Sequence, residues 1–250
     1  MNISLELRND TALGKVARLS LSLVPRDAVV RILRGTLRGK RWIARSAIHR
    51  CWLGFYEYEK QQWISREVRP NSVFWDIGAN VGFYTLLASK LVGSGRVFAF
   101  EPVPRNLGYL RKHMELNRVS NVEVLPIALS DKNGTARFQV EQTFSMGHLA
   151  SEGGIEVLTA TLDSLVDEGK VLAPVCVKMD IDGAELLALR GAARAFQRFH
   201  PALFLATHGK EIDGECCKLL GSWGYECRNF ERSPDGDLGE YVAKYPASRK

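Results

Sequence analysis

The sequence predicts an α/β protein built on a doubly wound, mostly parallel sheet, with an antiparallel C-terminal hairpin and an N-terminal helical extension. Three observations lead there. From Val73 onward, apolar runs of strand length alternate with longer helical patterns, and crossovers of that length make neighbouring strands parallel. The runs end in polar residues, Asp76, Glu101, Ser130/Asp131, Asp180 and Thr207/His208, with Asp182 following close behind, as expected where a ligand sits beyond the carboxyl ends of the strands. The last two runs are joined by "PDGD", too short for a crossover, so that pair closes as a hairpin.

Taken in order, residues 11–24 and 27–50 carry helical patterns separated by Pro25. In the second, Val30, Leu33, Leu37 and Ile43 share an apolar face, although Gly35 and Gly39 weaken it as a helix. "SVFWDIG" then reads as a buried strand, "FYTLLASKLV" as a helix, "GRVFAFE" as a strand, "NLGYLRKHMELNR" as a helix and "VEVLPIALS" as a strand. "TARFQVE" and "EVLTAT" are strands flanking an irregular piece, "QTFSMGHLASEGG". Alternation resumes with strand "VCVKMD", helix "AELLALRGAARAF", strand "ALFLAT", helix "EIDGECCKLLGSW" and strands "YECRNF" and "EYVAKY". Residues 1–65 are thus expected to form a basic helical extension and 66–250 the α/β domain.

Charge is uneven along the 250 residues. Net +6 overall divides into +8 over residues 1–50 and −2 over the rest. The basic segment faces an anionic partner, whether membrane surface, acidic glycan or nucleic acid, or is a solvated helical face; a second subunit is also left open. With no apolar stretch of membrane-spanning length and no signal-peptide pattern in "MNISLELRND", the expected location is cytoplasmic, with the inner membrane face accessible to the basic segment. Five cysteines without CxxC spacing argue against a disulfide framework and a zinc ribbon.

The first turn, "VFWDIGANVG", decides between ligands. A dinucleotide fingerprint needs GxGxxG, and here the spacing is Gly78-x-Asn80-x-Gly82. An acidic turn suits a ligand carrying an amine and a ribose, and Glu101 is placed to accept ribose hydroxyls, as the acid ending the second strand does in nucleoside-binding α/β folds. S-adenosylmethionine has those features.

Five stretches, "DIGANVGFYTLLAS", "GRVFAFEPVPRNLGYLRKHMELN", "NVEVLPIALSDKNGTARF", "TATLDSLV" and "VKMDIDGAELLALRGA", occur in order and together resemble the FkbM family of class I S-adenosylmethionine-dependent methyltransferases, from about Trp52 to about Tyr225. The resemblance implies a Rossmann-like, seven-stranded sheet and methylation of a hydroxyl on a sugar or secondary metabolite. It implies that Asp76, Gly78, Asn80 and Gly82 line the methionine end of the cofactor, that Glu101 holds ribose with Pro102 and Asn106 shaping the next turn, and that Asp131 stands near the adenine amino group. Two departures fall on the acceptor side: Asp182 stands where family members commonly carry Glu in "DVEGAE", and the fifth strand runs "FLATHGKE" where a Glu is usual near its end.

A sugar hydroxyl is a poor nucleophile until its proton is being removed, so a base is expected, and Asp180 and His208 are the candidates. Asp182 and Glu185 could orient either one or a substrate hydroxyl; Glu57 could reach a sugar hydroxyl, and His148 lies in a segment suited to wall the acceptor. Asp180, Asp182 and His208 could alternatively hold Mg²⁺ or Mn²⁺, although the carboxylates are explained without a metal. The expected function is O-methylation of a carbohydrate, glycolipid or glycosylated metabolite. A ribose 2′-O-methyltransferase and an inactive cofactor- or glycan-binding module are the alternatives; nucleic acid is disfavoured because no Asn/Asp-Pro-Pro-aromatic motif is present.

Overall fold

Gly35 and Gly39 decide the shape of the N-terminal segment. Both take positive φ, 76° and 84°, and between them the chain reverses, so Val29–Arg31 (β1) and Arg41–Ile43 (β2) pair as an antiparallel hairpin where the apolar pattern predicted a helix over 27–50. Ile32 N–H donates to Lys40 O, and Gly39 N–H to Ile32 O, each at 2.8 Å. Of the four residues read as one helical stripe, Leu37 and Ile43 are buried, Val30 is half-buried and Leu33 is exposed, while Ile32 and Trp42, outside that stripe, are buried. The computed structural model describes residues 21, 23–140, 147–150, 154–232 and 238–246. The expected helix over 11–24 falls mostly outside them. The chain divides into two compact units, Met1–Tyr56 and Glu57–Lys250.

The second unit carries the alternation. Its strands are Val73–Ile77 (β3), Arg96–Phe100 (β4), Val122–Leu125 (β5), Ala128–Leu129 (β6), Gly134–Val140 (β7), Gly147–Ala150 (β8), Ile155–Ala160 (β9), Cys176–Met179 (β10), Ala202–His208 (β11), Glu226–Arg232 (β12) and Leu238–Lys244 (β13). Seven form one sheet in the order β12-β13-β11-β10-β3-β4-β5, in which β13 runs antiparallel to both of its neighbours. The order reverses at β3, between β10 and β4, and this is the switch point where a doubly wound sheet opens a crevice.

Alternate residues face opposite helical layers. Trp75, Ile77, Phe98, Phe100, Val177 and Met179 pack with Leu162, Leu189, Phe196 and Leu220 on one side. On the other, Trp63 from the helix Tyr58–Glu67 meets the ring of Phe204 edge-on at 5.7 Å, and the helix Phe83–Leu91 buries Leu86, Leu87 and Ala88. All five cysteines are free thiols. Among the described residues, no helix is long and apolar enough to cross a membrane.

Two predicted elements divide in the structure. "VEVLPIALS" breaks at Pro126, which cannot donate to a ladder, and the chain passes from β5 in the large sheet to β6 in a separate four-stranded sheet of order β6-β9-β7-β8. "AELLALRGAARAF" breaks at Gly191 into Glu185–Arg190 and Ala193–Phe199. A Cβ at Gly191 would lie 2.0 Å from the Ser130 carbonyl oxygen, and the second helix is capped from outside by Asp163, whose carboxylate accepts from Arg194 N–H at 3.1 Å and Ala195 N–H at 2.8 Å.

Gly191→Ala is therefore expected to destabilise the protein by about 1–3 kcal/mol, the usual cost of overpacking. Gly108→Ala, in open space on the helix Pro104–Leu116, should stabilise it by about 1 kcal/mol through helix propensity alone. Urea denaturation midpoints that moved together would contradict the close approach at Gly191.

Candidate active site

At the end of β3 the chain turns through Gly78 with φ 75°, and a Cβ there would stand 1.9 Å from the carbonyl oxygen of Asp180 at the end of β10. Only glycine lets these strand tips meet. Gly78 N–H and Ala79 N–H both donate to Phe100 O at the end of β4, at 3.0 and 2.9 Å, so the three tips are tied together. Asn80 follows in the left-handed region at φ 50°, which aims its N–H at Glu101 Oε2, 2.8 Å away. The other oxygen of Glu101 accepts from Val103 N–H at 2.9 Å and from Asn106 Nδ2 at 3.3 Å. Burial pushes the Glu101 carboxyl above its usual range, although those donors pull it back.

These residues edge a cleft whose lining includes Gly78, Asn80, Glu101, Pro102, Asp180 and Asp182. Its apolar wall comes from Ile127, Ala128 and Leu129, the segment that changes sheets after Pro126. The buried Oδ1 of Asn80 has no hydrogen-bond partner, so a polar atom beside this wall is left for a ligand.

The far side of the cleft is organised around Asp180. Lys60, only 2% exposed, sits 2.8 Å from Glu57 Oε2, 2.7 Å from Glu240 Oε1 and 3.9 Å from Asp180 Oδ2. Its ammonium also lies 4.9 Å from the centre of the Phe204 ring. Burial alone would lower the pKa of Lys60, but Asp180, Glu57 and Glu240 outweigh it and raise it. Lys178 approaches the same Asp180 oxygen at 3.9 Å, stands 3.7 Å from Asp76 Oδ1, and donates to Gly78 O at 2.7 Å. Burial raises the Asp180 pKa by itself, and Lys178, Lys60 and His208 together hold it below the ordinary carboxylate range.

His208, ending β11, completes the edge. Its Nδ1 lies 2.9 Å from Oε1 of Glu185, a residue fully buried at the start of Glu185–Arg190, and that oxygen also accepts from Gly183 N–H at 3.1 Å. Its Nε2 faces Asp182 Oδ1 at 3.3 Å and Asp180 Oδ1 at 3.9 Å. Burial would lower the His208 pKa, but the Glu185 hydrogen bond and the carboxylates of Asp180 and Asp182 raise it above its ordinary value.

The expected site residues divide accordingly. Gly78, Asn80, Glu101, Pro102, Asp180 and Asp182 line the cleft, and His208 adjoins it. Asp76 lies beneath it, fully buried, with Oδ2 accepting from Thr85 Oγ1 at 2.5 Å; burial raises its pKa even against Lys178 and Thr85. Asn106 supports Glu101 from behind, and Gly82 meets Leu110, whose Cδ1 would be 2.4 Å from an added Cβ. Asp131 is exposed and absent from the cleft lining, which includes Ala128 and Leu129. Glu185, expected to orient a catalytic group or a substrate hydroxyl, is enclosed against His208, and Glu57 is engaged by Lys60 and by Tyr84 Oη at 2.7 Å. His148 falls on β8 with backbone partner Gln139, and its side chain lies outside the described residues. Sequence reasoning missed Lys60, whose one signal was a lysine three residues after Glu57 within an aromatic run, "GFYEYEKQQW".

Removing one partner from a buried ion cluster strands the others, so Lys60→Met is expected to cost about 3–5 kcal/mol in urea unfolding at neutral pH. A loss below about 1 kcal/mol, the range of exposed pairs, would contradict the cluster.

Residues 76–227 match the model of the methyltransferase FkbM domain. Among curated proteins the chain is similar to the hexuronic acid methyltransferase AglP of Haloferax volcanii, 32% identical over 133 residues that cover 52% of this chain and 54% of that protein. It is also similar to 31-O-demethyl-FK506 methyltransferase FkbM of Streptomyces tacrolimicus, 34% identical over 98 residues covering 38% of this chain and 37% of that one. The match thus spans about half of AglP and less of the second relative. An rRNA methylase from Streptococcus thermophilus aligns over 76% of this chain and 96% of its own at a TM-score of 0.52 and 11% identity, a likeness of fold alone. With the family model spanning more than half of its residues, from the tip of β3 into β12, the chain belongs to the FkbM methyltransferase family.

Proposed function

We propose that this chain is an S-adenosylmethionine-dependent O-methyltransferase whose acceptor is a hydroxyl of a carbohydrate, glycolipid or glycosylated metabolite. The observation that carries the reading is one cleft at the sheet's switch point whose lining runs from Glu101 and Asn80 to Asp180 and Asp182, with His208 adjoining the two aspartates as a cluster of proton acceptors. The residues fit the cofactor. Glu101 is held by three donors with lone-pair capacity to spare for a ribose hydroxyl, the orphaned Asn80 Oδ1 can accept from an amine, and Ile127, Ala128 and Leu129 offer an apolar wall to a flat ring. Bound there, S-adenosylmethionine supplies an electrophilic methyl group.

The chain's own contribution is to hold the acceptor oxygen and take up its proton. Glu185 fixes the imidazole through Nδ1, leaving Nε2 of His208 on the side of the two aspartates as the atom that receives the hydroxyl proton. Asp180, anchored through Oδ2 by Lys60 and Lys178, presents Oδ1 on the same side and orients the hydroxyl by accepting from it. Near-attack positioning of this kind supplies a large part of the acceleration of an in-line displacement. The acids also orient the acceptor by accepting hydrogen bonds from its hydroxyls. Similarity to a hexuronic acid methyltransferase supports a sugar acceptor.

Calorimetry with S-adenosylhomocysteine tests the cofactor half. Glu101→Ala is expected to weaken binding about 10–100-fold, the value of hydrogen bonds to a charged group. His208→Ala should leave that affinity unchanged and reduce methyl transfer to a glycan acceptor by about 10²–10⁴-fold, the worth of a positioned base. Undiminished binding by Glu101→Ala, or undiminished turnover by His208→Ala, would contradict the assignment.

A further inference from the structure

The contacts of His208 raise a question that proton transfer alone does not answer. Glu185, as a carboxylate, only accepts, so the imidazole hydrogen belongs on Nδ1. In the neutral ring Nε2 then carries a lone pair, and it faces oxygens of Asp182 at 3.3 Å and Asp180 at 3.9 Å. Three acceptor atoms, one from each residue, lie within 4.8 Å of one another. Lys60 and Lys178 offset Asp180 through Oδ2, and a cation placed among the three acceptor atoms, either a proton on Nε2 or a metal ion, would add attraction on the other side.

Geometry behind the ring favours the metal. A ligating histidine characteristically gives its second nitrogen to a carboxylate, which fixes the tautomer and strengthens the ligating nitrogen, and this is the relation of Glu185 to His208. Glu185 is fully buried, and its Oε2 has no hydrogen-bond partner, so a carboxylate stands behind the imidazole with one oxygen without a donor. A cation held through the ring offsets that charge. Lys60 and Lys178 both approach Asp180 through Oδ2, which leaves Oδ1 on the side of His208. Asp182, at φ 49°, brings the third ligand to the same point.

We infer that Asp180, Asp182 and His208 bind one divalent cation of the Mg²⁺ or Mn²⁺ class, with Glu185 positioning His208. This rests on the reading of the cleft as a methyl-transfer site. Two carboxylates and one imidazole suit a hard to borderline ion and leave coordination positions open toward the cleft. Those positions suit an acceptor with adjacent hydroxyls, such as a sugar diol, whose two oxygens can coordinate together. A cation there would take the role of His208 Nε2 in activating the acceptor: the acceptor O–H bond breaks with its proton passing to water, the oxygen bonds to the methyl carbon, and the methyl–sulfur bond breaks to release S-adenosylhomocysteine.

Mn²⁺ titration of the full chain, followed by electron paramagnetic resonance with and without saturating S-adenosylhomocysteine, tests this. One saturable Mn²⁺ per chain is expected in the wild type, lost in Asp182→Asn and His208→Ala and weakened about 10–100-fold in Glu185→Gln. Asp167→Asn, an exposed acid away from the cluster, should bind as the wild type does. Calorimetric S-adenosylhomocysteine binding by each variant shows that the cleft is folded. Wild-type protein that binds the nucleoside but holds no more Mn²⁺ than the Asp182→Asn/His208→Ala double variant, in both conditions, would overturn the metal and leave a protonated His208 joining the acids. Mn²⁺ binding without nucleoside binding would overturn the methyltransferase reading and keep the cation site.

Discussion

The site depends on two strand ends touching with no side chain between them. Gly78 and Asp180 belong to β3 and β10, neighbours at the point where the sheet order reverses, and a single methyl group on Gly78 would occupy the space of the Asp180 carbonyl. With that space empty, the turn after β3 lies against the tip of β10. Asn80 can then reach Glu101 on one side while Asp180 faces His208 on the other. The cleft and the acidic edge meet at this one contact. A shift of about 1 Å there would be felt in both, and transfer between two bound groups is acutely sensitive to such a shift.

Charge is arranged around the same point. Lys178 spans from Asp76 to Asp180 beneath the turn and donates to the Gly78 carbonyl, so a buried cation holds backbone and both acids together. Lys60 does the corresponding work from the helix Tyr58–Glu67, linking Glu57, Glu240 and Asp180. Buried charges of this kind contribute little net stability against an apolar alternative, and they are costly to leave unpaired. Their value here is positional: Asp180 is anchored by Oδ2, with Oδ1 turned to His208.

Much of this was legible in the sequence because period and punctuation are local. The alternation after Val73 gave the parallel sheet, the short "PDGD" link gave the antiparallel last pair, and of the acids at strand tips Glu101, Asp180 and Asp182 line the cleft. The N-terminal hairpin was misread because Val30, Leu33 and Leu37 keep a helical spacing, while the positive φ that Gly35 and Gly39 adopt is a property of the fold. Pro126 was the sign that "VEVLPIALS" could not be one strand, and the chain after it turns Ile127, Ala128 and Leu129 to the cleft. Lys60 was beyond reach for another reason: its role comes from a partner 180 residues away in sequence, Glu240, whereas Glu185 was expected to orient Asp180 or His208 and meets His208. No periodicity records such pairings.

The central claim is that an acidic acceptor edge directs the methyl group to a hydroxyl. Incubating the protein with methyl-labelled S-adenosylmethionine and glycans that carry both uronic acid and neutral hexose residues, then treating the product with mild alkali, tests it most directly. Label retained on the glycan through alkali as a methyl ether is the predicted result. Label released as methanol would show that a carboxylate had been esterified, and would contradict the reading of Asp180, Asp182 and His208 as groups that hold and activate a hydroxyl.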